Sequence, residues 1–145
     1  GIAAFSRNSF AQQLRVPGMV AFRASVQEKI SGMLLWFVQG DRAYYHLGAY
    51  DLRGYEHHAS FALFWIALEY FAGIGLHWIN LGANPGMSGN QQNSLARFKQ
   101  GWSTGTRTAY LCGRICNPVQ YRELAAARQP AGTGYFPAYR AGEFV

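Results

Sequence analysis

Charge is scarce in this sequence, and negative charge scarcest. Only 14% of the 145 residues are charged, and 13 Lys or Arg stand against seven Asp or Glu for a net charge of +6. Asp51 and Glu56 have no carboxylate partner at a useful spacing, so they read as loop or cap residues. The cations form no block: Arg7, Arg15, Arg23, Lys29, Arg42, Arg53, Arg97, Lys99, Arg107, Arg114, Arg122, Arg128 and Arg140 are scattered singly. That scatter argues against a sequence-specific DNA reader. The excess of base still favours an anionic partner such as RNA, a phosphorylated cofactor or an acidic polymer. Cysteine is nearly absent. Cys112 and Cys116 on one strand face would stand about 13 Å apart, too far for a disulfide, and two thiols without a second pair make no zinc site. They are expected as free thiols in the core. His57 and His58 beside Glu56 lack a third ligand at fixed spacing, so no metal is expected. No internal repeat is present, and the opening residues lack the charged and apolar regions of a secretion signal, which gives a cytoplasmic location as the expectation.

What is abundant is apolar: half of the residues are hydrophobic and 16% are aromatic. Such a chain folds, and its length suits one domain, residues 1–145. The most apolar stretch, ASFALFWIALEYFAGIG at residues 59–75, is expected to form the central helix. Ser60 reads as its N-cap, and Gly73 and Gly75 as its stop. Phe61, Phe64, Trp65, Leu68 and Phe71 form one broad face, while Leu63, Ile66 and Tyr70 cover much of the rest, so burial on nearly all sides is expected. A membrane span is disfavoured by Glu69 in mid-run, by the two glycines, and by His77 and Asn80 beyond them.

The remaining elements fall in order around that helix. A short helix is expected over 9–15, with Ser6 or Ser9 as cap and Pro17-Gly18 as terminator. A strand follows over 19–26, with 27–30 as its candidate continuation; Ser31-Gly32 reads as a break, and MLLWFVQ as the second strand. RAYYHLGAY at 42–50 is the third. Residues 51–58 read as a polar loop. LHWINL at 76–81 is a buried strand, and the strand–helix–strand spacing marks a right-handed parallel crossover. A Gly/Asn-rich loop expected to be mobile spans 82–93. A short helix is expected over 94–100, a strand over 107–115, a helix over 118–128, and a surface tail over 129–145. The fold class is α/β (α+β): an antiparallel meander followed by a β-α-β crossover around a buried central helix.

The ordered set YYHLGAY, WINLG and LARFKQGW resembles the GNAT-like fold, specifically its FemABX-like branch of acyltransferases and peptidoglycan-bridge aminoacyltransferases. The resemblance covers residues 19–117 and implies a mixed sheet shortened at its N-terminal end. It also implies acyl or aminoacyl transfer to an amine acceptor, with acyl-CoA or aminoacyl-tRNA as donor. In this fold the strands before and after the central helix splay apart, and the donor lies in the wedge. Gly54, Tyr55 and Ser60 would then line the anion site at the helix N-terminus, and Asn80 and Gly82 the end of the facing strand. Phe98 and Lys99 match a family Phe-Lys pair linked to positioning the acyl end and stabilising the tetrahedral intermediate. Tyr45 or His46 would handle protons; Tyr44 and Tyr45 point to opposite faces, so one of them reaches the wedge. Taken alone, Lys99 on a helix reads as a solvated cation. The family's usual Q/R-x-x-G-x-G/A loop is absent between Asp51 and Ser60, and Asn80 stands where relatives often carry Asp. The competing function is a non-catalytic binding or assembly module. Self-association, most simply as a homodimer, is expected in either case, with Trp36, Phe37, Trp78 and Trp102 as candidates for the covered surface.

Overall fold

A computed structural model describes residues 5–82, 94–110, 112–127 and 135–141. They belong to two compact units, one formed by residues 5–82 and the other by the chain beyond them. The first unit is a four-stranded sheet of order β1-β2-β3-β4 with one long helix against it. It opens with helix α1 (Arg7–Gln13), whose cap is Ser6, with Oγ accepting from the Ser9 amide at 3.1 Å. Strands β1 (Met19–Val26), β2 (Lys29–Gln39) and β3 (Arg42–Tyr50) follow as an antiparallel meander.

The turn between β1 and β2 differs from the sequence reading. Gln27 and Glu28 do not prolong β1. Both take positive φ, 50° and 65°, and Val26 pairs directly with Lys29. Two consecutive left-handed residues are the geometry that matches the twist of a two-residue hairpin. Ser31-Gly32 is accordingly not a break but the interior of β2, where Gly32 pairs with Ala24 on one side and Tyr50 on the other. Ser31 is the extra residue of a bulge opposite Ala24 and Ser25, and is itself buried.

The expected loop 51–58 contains a short helix, α2 (Leu52–Glu56), because Asp51 caps it: Oδ1 accepts from the Gly54 amide at 2.7 Å. The central helix α3 (Ala59–Gly73) then begins after His58, whose φ of 52° supplies the corner. Ser60 is therefore inside the first turn and is not the cap. At the far end the Leu76 amide donates to the Phe71 carbonyl and the Gly75 amide to Ala72, with Gly75 at φ 79°. This is a Schellman ending, and it needs the left-handed residue that glycine provides.

Helix α3 buries one face only. Ala59, Leu63, Phe64, Ala67 and Phe71 meet the sheet, where Leu34, Leu35, Trp36 and Ala43 complete the core. Trp36 is the hub, with its ring 5.3 Å from Phe71, 5.7 Å from Phe64 and 5.4 Å from Tyr45. Burial on all sides does not occur: Phe61, Trp65 and Ile66 are exposed away from the sheet, and Tyr70, also exposed, sits at the flank with its ring 5.5 Å from Phe22 of β1. Trp36 is likewise withdrawn from the candidates for an outer contact surface, since it has no exposed area. Among the described residues, no helix is long and apolar enough to cross a membrane.

In the second unit, α4 (Ser94–Trp102) and α5 (Pro118–Ala127) occupy the positions expected of helices. The described residues of 107–115 form no strand, and Cys112 and Cys116 are exposed rather than core thiols. Tyr121 of α5 stacks on Phe136 and accepts a hydrogen bond on its hydroxyl from the Ala138 amide at 2.8 Å. That contact holds the short 3-10 turn Ala138–Arg140 to the helix, so this part of the expected surface tail is half-buried. The loop expected over 82–93 and most of that tail lie outside the described residues.

Candidate active site

Strand β4 (Trp78–Asn80) lies parallel to β3, as the crossover spacing requires, but the two pair over three residues only: Arg42 with Trp78, Ala43 with Ile79, Tyr44 with Asn80. The start of the pair is fixed by Asp41, whose carbonyl accepts from the His77 and Trp78 amides at 3.0 and 3.2 Å. Beyond Asn80, Leu81 and Gly82 take no further partner on β3. Asn80 instead turns the chain, its Oδ1 accepting from the Gly82 amide at 2.7 Å. Strand β3 runs six residues further, and among the described residues its β4-side edge is without a strand neighbour. Its outward backbone groups face that gap, as on any sheet edge.

The cause of the divergence is visible in the register. Trp36 pairs with Tyr45 and Leu35 with Leu47, so His46 is an extra residue, a bulge on β3 immediately after the last β4 pair. A bulge bends its strand and reverses the facing pattern beyond it. By strict alternation Tyr45 and Tyr50 would lie on opposite faces. With one residue inserted, Tyr45, Gly48 and Tyr50 share the face that α3 covers, opposite Trp36, Leu34 and Gly32 of β2.

Three phenols gather on that face. The Tyr50 ring lies 5.7 Å from the ring of Tyr55 on α2, and the Tyr45 ring 5.3 Å from Phe64 of α3. Burial raises the phenol pKa of both Tyr45 and Tyr50, and mutual repulsion among the phenolates of Tyr45, Tyr50 and Tyr55 adds to it. All three oxygens are thus close enough to sense one another, and Tyr45 and Tyr50 stay protonated at neutral pH. Gly54 brings α2 to this place. It lies against the Ser31 carbonyl so closely that a Cβ would collide with the oxygen, which also accepts the Asp51 amide at 3.1 Å.

Of the other expected residues, His46 separates from this group. His46 turns to the opposite face, its ring 5.0 Å from Phe37 and its Nε2 2.7 Å from Gln13 Oε1. An amide oxygen only accepts, so Nε2 carries the hydrogen and Nδ1 alone keeps a lone pair. Tyr45 and His46 therefore do not act at one point, and of Tyr44 and Tyr45 it is Tyr45 that faces α3. Ser60 is half-buried in the first turn of α3, whose N-terminus has no side-chain cap. Phe98 and Lys99 belong to α4 of the second unit, where the Phe98 ring is 6.2 Å from Trp102. Lys99 is half-buried rather than solvated, and burial lowers its ammonium pKa. Among the described residues, no three His, Cys, Asp or Glu side chains gather as a metal site requires.

The sequence reading missed Tyr50 and Gly48. No local signal marks them, because their grouping with Tyr45 depends on the bulge.

Burial also lowers the pKa of His46. As pH falls, the unfolded chain then binds a proton before the folded one does. The stability tied to this group is complete above the ordinary histidine value of about 6.5 and is lost as pH falls below it. Denaturant titrations from about pH 7.5 down to about 5 should show a decline in the native chain that is shallower in His46→Gln.

Two crystal structures of an aminoglycoside acetyltransferase from an uncultured soil metagenomic sample share the fold. The complex with sisomicin superposes with a TM-score of 0.58 at 15% identity, covering 80% of this chain and 78% of that one. The trehalose complex gives 0.56 at 15% identity, covering 81% and 78%. No curated protein matches the sequence. The profile of the acetyltransferase (GNAT) domain, by contrast, matches residues 2–100, more than half of the chain, and takes in every strand of the sheet, the phenol cluster and the Phe98-Lys99 pair. The early divergence of β3 from β4, the helix that follows the bulged strand, and this match lead to one assignment: the chain belongs to the acetyltransferase (GNAT) domain family.

Proposed function

We propose that this chain transfers an acyl group from acyl-CoA to an amine acceptor. The observation that carries the reading is the three-residue pairing of β3 with β4, which ends where the β3 bulge begins. The stretch beyond it suits an extended thioester arm, whose amides can pair with the β3 backbone past the last β4 pair as an added strand would. The uncapped N-terminus of α3 offers N–H groups to the donor's phosphates. Gly54, Tyr55 and Ser60 stand at that end, while on the β4 side Asn80 closes the last pair and Gly82 follows it. The chemistry is attack of the neutral amine nitrogen on the thioester carbon, giving a tetrahedral oxyanion. Its collapse expels the thiolate, and the nitrogen loses its proton.

The finer assignment, a FemABX-like enzyme using aminoacyl-tRNA, rests on YYHLGAY, WINLG and LARFKQGW. The Phe98-Lys99 pair enters through the same resemblance. If Lys99 stabilises the oxyanion, Lys99→Ala should lower kcat by roughly 100-fold, the usual effect of removing one such group, while donor affinity changes little.

Calorimetric titration with acetyl-CoA, free CoA and an aminoacyl-tRNA mimic tests the reading directly. Binding of the first two is expected, and the third separates the donors. Failure of all three would favour a non-catalytic assembly module. The exposed face of Phe61, Trp65 and Ile66 is then the surface a second copy would cover.

A further inference from the structure

The charge of the chain is divided unevenly between its two units. Residues 5–82 carry six Lys or Arg against five Asp or Glu, a net +1, while the unit beyond them carries seven against two, a net +5. Arg97, Arg107, Arg114 and Arg122 are all exposed there, and among the described residues none of these four has an ion pair. Tyr110 stands between two of them and is 84% exposed, so nearly the whole ring is left to solvent. The described residues of 103–117 form neither helix nor strand. Gly113 seats this segment: it lies against the Phe136 ring so closely that a Cβ would collide with it, and Phe136 in turn stacks on Tyr121 of α5 at 6.2 Å. Arg114 follows Gly113 and Arg122 follows Tyr121, so that contact brings two arginines of distant sequence into one neighbourhood.

Arginines without acidic partners are free to take up an external anion, and the guanidinium fork suits phosphate oxygens. A phosphodiester strand supplies such anions in series, and any of its bases can stack on an exposed phenol. An acidic polymer without bases would match the charge but not the ring. We propose that the segment carrying Arg107, Tyr110 and Arg114, with Arg122 of α5 beside it, binds single-stranded nucleic acid: phosphates on the three arginines, a base on Tyr110. The surface lies within the second unit and does not depend on acyl transfer.

Fluorescence anisotropy of the full chain with labelled dodecamers of uridylate and of thymidylate is the test, with heparin as a polyanion that has no bases. The dodecamers should bind at about 50 mM salt and weaken as salt rises with a log–log slope of about −2, as three phosphate contacts on a single strand give. A preference between the two names RNA or DNA as the source. Arg114→Gln should reduce that slope by about 0.7. Tyr110→Ala should weaken dodecamer binding about 5- to 100-fold and leave heparin binding as it was, while Tyr110→Phe stays near the native chain, because the ring does the stacking. Tyr110 is too exposed for its truncation to unfold the unit. Arg23→Gln, in the first unit, should change neither ligand. Unchanged dodecamer binding in Tyr110→Ala, or an equal loss for heparin, would leave only a general counter-ion surface and overturn the proposal. Displacement of the strand by free CoA would put its phosphates at the acyl donor's site and overturn it too, as would no binding at low salt.

Discussion

Phe71→Ala is expected to lower stability by about 3–5 kcal/mol, and Trp65→Ala by less than about 1 kcal/mol, although both are aromatic residues of one helix. Phe71 has no exposed area and its ring touches those of Phe22, Trp36 and Tyr70. Removing the ring leaves a cavity beneath the helix that Trp36 cannot fill without leaving Tyr45 and Phe64. Trp65 is 57% exposed, so truncating it forfeits little burial. For a unit of this size the Phe71 change corresponds to a fall in Tm of roughly 15–30 °C. Thermal denaturation followed by circular dichroism reads both. Comparable costs at the two positions would show that the outer face of α3 is covered in solution, and a Trp65 cost that grows with protein concentration would identify a second copy as the cover.

Gly54→Ala should cost about 1–3 kcal/mol and weaken acetyl-CoA binding as well. The added methyl would meet the carbonyl oxygen of Ser31, which is backbone and already accepts the Asp51 amide. Helix α2 must therefore move away from β2. That movement breaks the Asp51 cap on Gly54, worth about 1 kcal/mol by itself, and draws Tyr55 from Tyr50. Asp51→Ala is the natural comparison, since it removes the cap without the collision. If Gly54→Ala were no more damaging than Asp51→Ala, the close approach to Ser31 would not be what positions α2.

The sequence alone determined the long elements of the first unit and their order, though not helix α2, the true start of β2, or the lack of a strand in the described residues of 107–115. Alternation of period two marked MVAFRASV and RAYYHLGAY as strands, and the long apolar run with its glycine stop marked α3 to within a residue or two. The strand–helix–strand spacing required β3 and β4 to be parallel neighbours, and they are. These properties are local, or follow from chain length and handedness, so one segment's residues suffice to show them. The tertiary structure decided what depends on pairing. Ser31 and His46 are bulges only because of what stands opposite them on β1 and β3's neighbour β2, and no property of a serine or a histidine announces that. The bulge at His46 turned a run that alternates in sequence into one that places Tyr45, Gly48 and Tyr50 together and sends His46 to the other face. Composition showed that α3 is apolar all round, but which side it buries was settled by the shape of the sheet, whose Trp36, Leu34 and Ala43 accept Phe64, Ala67 and Phe71. A sheet offers one surface to a helix, so an apolar helix laid on it keeps its other face outside until something else covers it.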